Sequence, residues 1–94
     1  MDNYNDGGMA TGKMLALLSR KKLAVGAKQL QKALHSGMAE QVFLARNADP
    51  AITEPLVALC KRYDVSLYWV SSMRELGNAC GIEVGASAAA AVKD

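Results

Sequence analysis

"LGNACGIEVGASAAAAV", residues Leu76 to Val92, decides the architecture of this chain, because its second half admits two opposite readings. By intrinsic propensity the stretch "ASAAAAV", Ala86 to Val92, is a helix. Three observations favour a strand instead. A glycine-bounded loop precedes it, strands and helices alternate upstream, and little chain remains afterwards. The reading adopted is a narrow, fully buried strand whose small side chains make room for helices on both faces. The same stretch carries one carboxylate, Glu83, between Ile82 and Val84 and bracketed by Gly81 and Gly85. Buried without a partner, it would neutralise or destabilise the chain. Glu83 is therefore either solvated on a tight loop or faces hydrogen-bond donors.

Before this stretch, "VSLYWV", Val65 to Val70, is a β-branched and aromatic strand. Ser72 and Glu75 then have the spacing of a capping box, which opens a helix from Met73 to Cys80. Upstream, "QVFLAR", Gln41 to Arg46, is a buried strand that ends at the turn "NADP". Because Pro55 fits only the first turn of a helix, the spacing predicts a helix from about Thr53 to Tyr63, closed by Asp64. "LAV", Leu23 to Val25, is a short strand ending at Gly26. Ala27, Leu30, Ala33 and Leu34 then restore helical spacing up to Gly37. "TGKMLALLSRKK", Thr11 to Lys22, reads as the first helix. The expected class is α/β, a three-layer α/β/α sandwich around a mixed sheet of about four strands.

Ninety-four residues make one domain. "MDNYNDGG", residues 1–8, reads as a disordered leader, and residues 9–94 as the single folded domain. The leader is acidic and polar where a secretory signal is basic and then apolar, and no apolar run is long enough to span a bilayer. A cytoplasmic location with no membrane contact is expected. Cys60 and Cys80 form no Cys-x-x-Cys pair, so a structural disulfide is not expected. His35 is the single histidine and reads as a helix-surface residue; no metal site or catalytic dyad assembles around it. Nucleophile elbows, P-loops and close carboxylate pairs are absent from the sequence. "GNACG" has the helix, loop, strand order, the reverse of a dinucleotide fingerprint. The chain reads as a non-enzyme without cofactor or metal.

The net charge is only +2, but its distribution is uneven. Met9 to Ala39 holds six basic residues, Lys13, Arg20, Lys21, Lys22, Lys28 and Lys32, and no acidic one. Such a surface suits a polyanion; the alternative is a solvated helix face. Two constellations stand out. In "GAKQLQK", Gly26 allows close backbone approach at a strand-to-helix junction where helix N–H groups are free for phosphate. Lys28 and Lys32 share a face there, and Gln29 offers a donor and an acceptor to a base edge. Ordinary amphipathic surface explains the same spacing. In the second, Ile82, Glu83 and Val84 form a tip between Gly81 and Gly85; its apolar residues either clasp the core or cover an unstacked nucleotide.

"GAKQLQKALHSG" and "LGNACGIEVGA", with "VFLARNADP" between them, resemble the ribosomal protein seven-Ae family, the large-subunit and box C/D proteins that bind kink-turn RNA. The similarity runs from about Leu15 to Val92 and is closest to the short bacterial members. It implies recognition of a kinked RNA helix with tandem sheared G·A pairs, in RNA such as ribosomal RNA or a riboswitch. By that resemblance Gly26 and Ala27 permit close approach, Lys28 and Gln29 touch guanine edges and Lys32 neutralises phosphate. Ile82, Glu83 and Val84, with Gly85, cover the extruded nucleotides. Archaeal members carry Asn-Glu where this chain has Lys28-Gln29, and Gln29 lacks the charge assistance of a carboxylate. Arg46 stands where the family often has an acidic residue; it either contacts phosphate or does nothing. Whether the Glu83 side chain or the loop backbone makes the contact stays open. The expected partner is structured RNA, with the ribosome as a candidate carrier, and the expected state is a monomer. The rival reading is a protein-interaction module on the same scaffold.

Overall fold

The alanine run is a strand, and its neighbours explain why. In the computed structural model, which describes residues 8–94, Ala88, Ala89, Ala90 and Ala91 are all buried. Ala88 and Ala90 join one core cluster while Ala89 and Ala91 join a second. A strand sends successive side chains to opposite faces, so one element serves two cores and only small side chains fit between them.

The described strands are β1 (Gly8–Met9), β2 (Leu23–Val25), β3 (Ala39–Ala45), β4 (Ser66–Val70) and β5 (Ala88–Val92). The helices are α1 (Gly12–Leu18), α2 (Ala27–His35), α3 (Pro50–Tyr63) and α4 (Met73–Cys80). The sheet order is β1-β4-β3-β5-β2. β1 and β3 flank β4 in parallel, whereas β5 runs antiparallel to both β3 and β2. β3 divides its side chains as β5 does. Val42 and Leu44 meet Leu30 and Leu34 of α2 and Leu56 and Cys60 of α3 on one face. Phe43 and Ala45 meet Leu18 of α1 and Leu76 and Cys80 of α4 on the other. The three-layer sandwich follows.

Four expectations need correction. The sheet has five strands, not four. The extra strand is β1, where Gly8 pairs with Tyr68 and Met9 with Trp69. Gly8 is thus in a strand, and the rest of the expected leader, residues 1–7, lies outside the described residues. A two-residue strand has no periodicity to detect. Second, α1 ends at Leu18, not Lys22. The N–H groups of Arg20 and Lys21 bond back to Leu17 and Leu18, and the Lys22 carbonyl accepts from Val92, so Ser19 to Lys22 form a turn into β2. Third, α3 begins at Pro50, capped by the Asp49 carboxylate through the Ala51 N–H at 2.9 Å. Pro55 sits inside the helix. It is exposed, and the only helical bond it forfeits is to the carbonyl of Ala51, also exposed, where water can substitute. Fourth, the capping box at α4 is half formed. The Ser72 hydroxyl accepts from the Glu75 N–H at 3.0 Å, but the Glu75 carboxylate accepts from the Ser71 hydroxyl.

Candidate nucleic-acid interface

Since β2, β3 and β4 point one way and β5 the other, the C-terminal ends of the first three and the start of β5 lie at one end of the sheet. Gly26 ends β2 there with φ 98° and ψ 153°, a backbone conformation that favours glycine. Its N–H donates to the Ala88 carbonyl at 2.8 Å, and its carbonyl accepts the Leu30 N–H at 2.9 Å, which starts α2. No side chain among the described residues caps this helix, and its first turn has no acidic residue. The N-terminal N–H groups of a nine-residue helix are thereby left open at the sheet end, with the positive pole of the helix behind them.

α2 buries Leu30, Ala33 and Leu34, which turns Lys28, Gln29 and Lys32 to solvent. Ala27 does not join them. It is half-buried and packs against the α2/α3 core, so its contribution is to keep the first turn slim.

The segment after α4 is a strap laid back along that helix, not a projecting tip. Gly81, at φ 80°, caps α4, and the Ile82 N–H donates to the Gly77 carbonyl at 3.1 Å. At the other end the Ala86 N–H donates to the Met73 carbonyl at 3.0 Å. Between these anchors the Val84 carbonyl crosses so close to Gly77 that a Cβ there would collide with it. A Cβ on Gly85 would stand 3.2 Å from that of Met73. The strap therefore needs Gly77, a residue the sequence reading left without a role. A glycine inside a helical pattern was the available signal. Asn47 was missed as well; its side-chain oxygen accepts the Met73 N–H at 2.8 Å and ties the β3–α3 loop to the start of α4.

The three central strap residues have different fates. Ile82 is half-buried and packs on the α1/α4 core. Glu83 is exposed, and Val84 is 70% exposed although apolar. The strap then reaches the sheet end beside Gly26, because the Ser87 carbonyl accepts from Ala45 at 3.0 Å and the next residue, Ala88, accepts from Gly26.

Arg46 lies at the same end but toward the opposite edge, two strand spacings from Gly26, about 10 Å. Its guanidinium donates to the thioether of Met9 at 3.4 Å, a weak acceptor, and makes no ion pair with another described residue. The structure thus sets Gly26, Lys28 and Gln29 at the α2 start, carries Glu83, Val84 and Gly85 on the strap that ends beside it, and places Arg46 two strands away from Gly26. The buried thiols of Cys60 and Cys80 lie in the two cores, and burial pushes both up, Cys60 to about 12, so neither is a nucleophile near neutral pH.

Among the described residues no helix is long and apolar enough to cross a membrane. The family model of the ribosomal protein L7Ae/L30e/S12e/Gadd45 family matches residues 10–94. The chain belongs to this family. Short bacterial relatives agree with the match. An RNA-binding protein of Bacillus pumilus is 41% identical over 70 residues, spanning 74% of this chain and 85% of the relative. The RNA-binding protein YbxF of Geobacillus stearothermophilus is 39% identical over 77 residues, spanning 82% of this chain and 94% of its own. A solved structure of a Giardia lamblia 15.5kD RNA binding protein superposes with a TM-score of 0.80 at 27% identity, covering 92% of this chain and 79% of that one. The likeness to members of this family therefore extends through both the α2 start and the strap.

Proposed function

We propose that this chain is a non-enzymatic RNA-binding protein that recognises kink-turn motifs with tandem sheared G·A pairs and holds them bent. It acts in the cytoplasm, as a monomer, on structured RNA such as ribosomal RNA or a riboswitch. The observation that carries this reading is the convergence of an uncapped, glycine-started α2 with the strap at one end of the sheet, joined by the Gly26 to Ala88 bond. One element supplies phosphate and base-edge contacts through Lys28, Gln29 and Lys32; the other presents apolar Val84 to unstacked bases. Relatives whose names state RNA binding support it. Binding the kinked state better than the extended one folds the RNA by differential affinity.

The test is a titration of labelled kink-turn RNA, read by the distance between its two arms, beside a control with Watson–Crick pairs in place of the G·A pairs. Arms that close on the first RNA alone are expected. Gln29→Ala should weaken binding with little change in salt dependence, whereas Lys28→Ala should weaken it and, if Lys28 also contacts phosphate, flatten the salt slope by about one phosphate contact. Equal weak binding of both RNAs would overturn the reading. It would favour a protein partner for the surface at Val84 and Met73, which are 70% and 36% exposed.

A further inference from the structure

Five of the six basic residues between Met9 and Ala39 fall into two groups that the fold separates, with Lys13 apart on α1. Lys28 and Lys32 belong to α2, while Arg20, Lys21 and Lys22 occupy the turn between α1 and β2, at the end of the sheet opposite Gly26. All three turn residues are exposed, and none makes an ion pair with another described residue. Their backbone is fixed by the bonds from Arg20 to Leu17, from Lys21 to Leu18 and from Val92 to Lys22. Three like charges on consecutive residues repel one another, and nothing in the fold requires them. Glu40 and Asp94 line the same shallow depression, so the turn's charge is reduced on that side but not cancelled.

The turn is also next to the strap. A Cβ on Gly81 would lie 3.7 Å from that of Ser19, so the residue preceding Arg20 touches the residue that begins the Gly81 to Gly85 segment. The strap thus runs between the Gly26 end of the sheet and the turn that carries the three cations.

We propose that Arg20, Lys21 and Lys22 form a second contact, with the phosphate backbone of a stem flanking the recognised element, outside the site at Gly26 and the strap. The inference rests on the RNA reading above. The contact is electrostatic and indifferent to sequence, so it adds affinity and orients the stem without changing which motif is chosen.

The experiment compares the wild-type protein with an Arg20→Ala, Lys21→Ala, Lys22→Ala triple variant across a salt series. The RNAs are kink-turns with short stems, and the same kink-turns with each stem in turn extended by about one helical turn. One extension should steepen the wild-type dependence of log K on log salt by roughly 1–3, at about 0.9 per duplex phosphate engaged. In the triple variant that gain should vanish, with roughly tenfold or greater loss of affinity near 0.1 M salt, while binding to the short-stem RNA stays close to wild type. Identical slopes for both proteins on every extended RNA would overturn the inference and leave the motif reading intact. An equal loss on short and extended RNAs would also overturn it. If the wild-type protein fails to distinguish kink-turn from Watson–Crick control, the motif reading fails, and this inference with it.

Discussion

Gly77 shows how much one missing methyl can decide. Its neighbour across the gap is a backbone carbonyl, that of Val84, which cannot swing aside as a flexible side chain can. Gly77→Ala is therefore expected to lower the unfolding free energy by about 1–3 kcal/mol, measured by urea denaturation, and to weaken RNA binding by displacing the strap. Gly12→Ala is the matched control. A Cβ there meets nothing within 4 Å and the site is helical, so stability should hold or rise by up to about 1 kcal/mol. Cys60 offers a second residue-level test. Its thiol rises from 9.0 to about 12 in the fold, so the native state keeps a proton that the unfolded chain releases. That contribution is whole below pH 9.0 and is lost as pH climbs toward about 12, by up to roughly 1.4 kcal/mol per pH unit. Denaturation of the wild type and Cys60→Ala at pH 8 and at pH 10.5 should show the steeper decline in the wild type.

At the scale of elements, β5 is constrained by two helix layers and α3 by one. Ala90 has no exposed surface and faces α2 and α3. Ala90→Leu should destabilise by about 1–3 kcal/mol, because no rotamer escapes the helices above it. Val92, half-buried at the strand's end, should accept isoleucine at a cost below about 1.5 kcal/mol, and thermal melts of the two variants would separate these cases. The same difference in exposure explains what was legible. Ala86 to Val92 could be read as a strand because its flanking loop and place in the alternation outweighed alanine propensity. α3 starts earlier than the position of Pro55 predicts, because the exposed site of that proline makes the lost bond inexpensive. β1 was missed because two residues gain strand character only by pairing with Tyr68 and Trp69.

For the whole molecule, the two cores share β3 and β5, with Val42 and Leu44 on one face and Phe43 and Ala45 on the other. Neither core can dissolve while the common strands stay paired, so one cooperative unfolding transition is expected. Fluorescence of Trp69, the single tryptophan, and far-UV circular dichroism should give coincident curves. Leu44→Ala in one core and Leu76→Ala in the other should each shift both curves together, by about 2–5 kcal/mol. Divergent curves would mean that the faces unfold separately.

The α/β alternation, the strand identity of the alanine run, the glycine-started α2 with Lys28 and Gln29, and the family are all legible in the order of residues. These rest on side-chain period, on a backbone position that needs glycine, on residue order along the chain and, for the alanine run, on its place in the alternation rather than its own propensity. Packing sets the fifth strand, the separation of Arg46 from the α2 start, the burial of Ile82 against the exposure of Val84, and the dependence of the strap on Gly77. Those features depend on which segments meet in space, and a sequence states neighbours along the chain while packing and hydrogen bonding select neighbours across it.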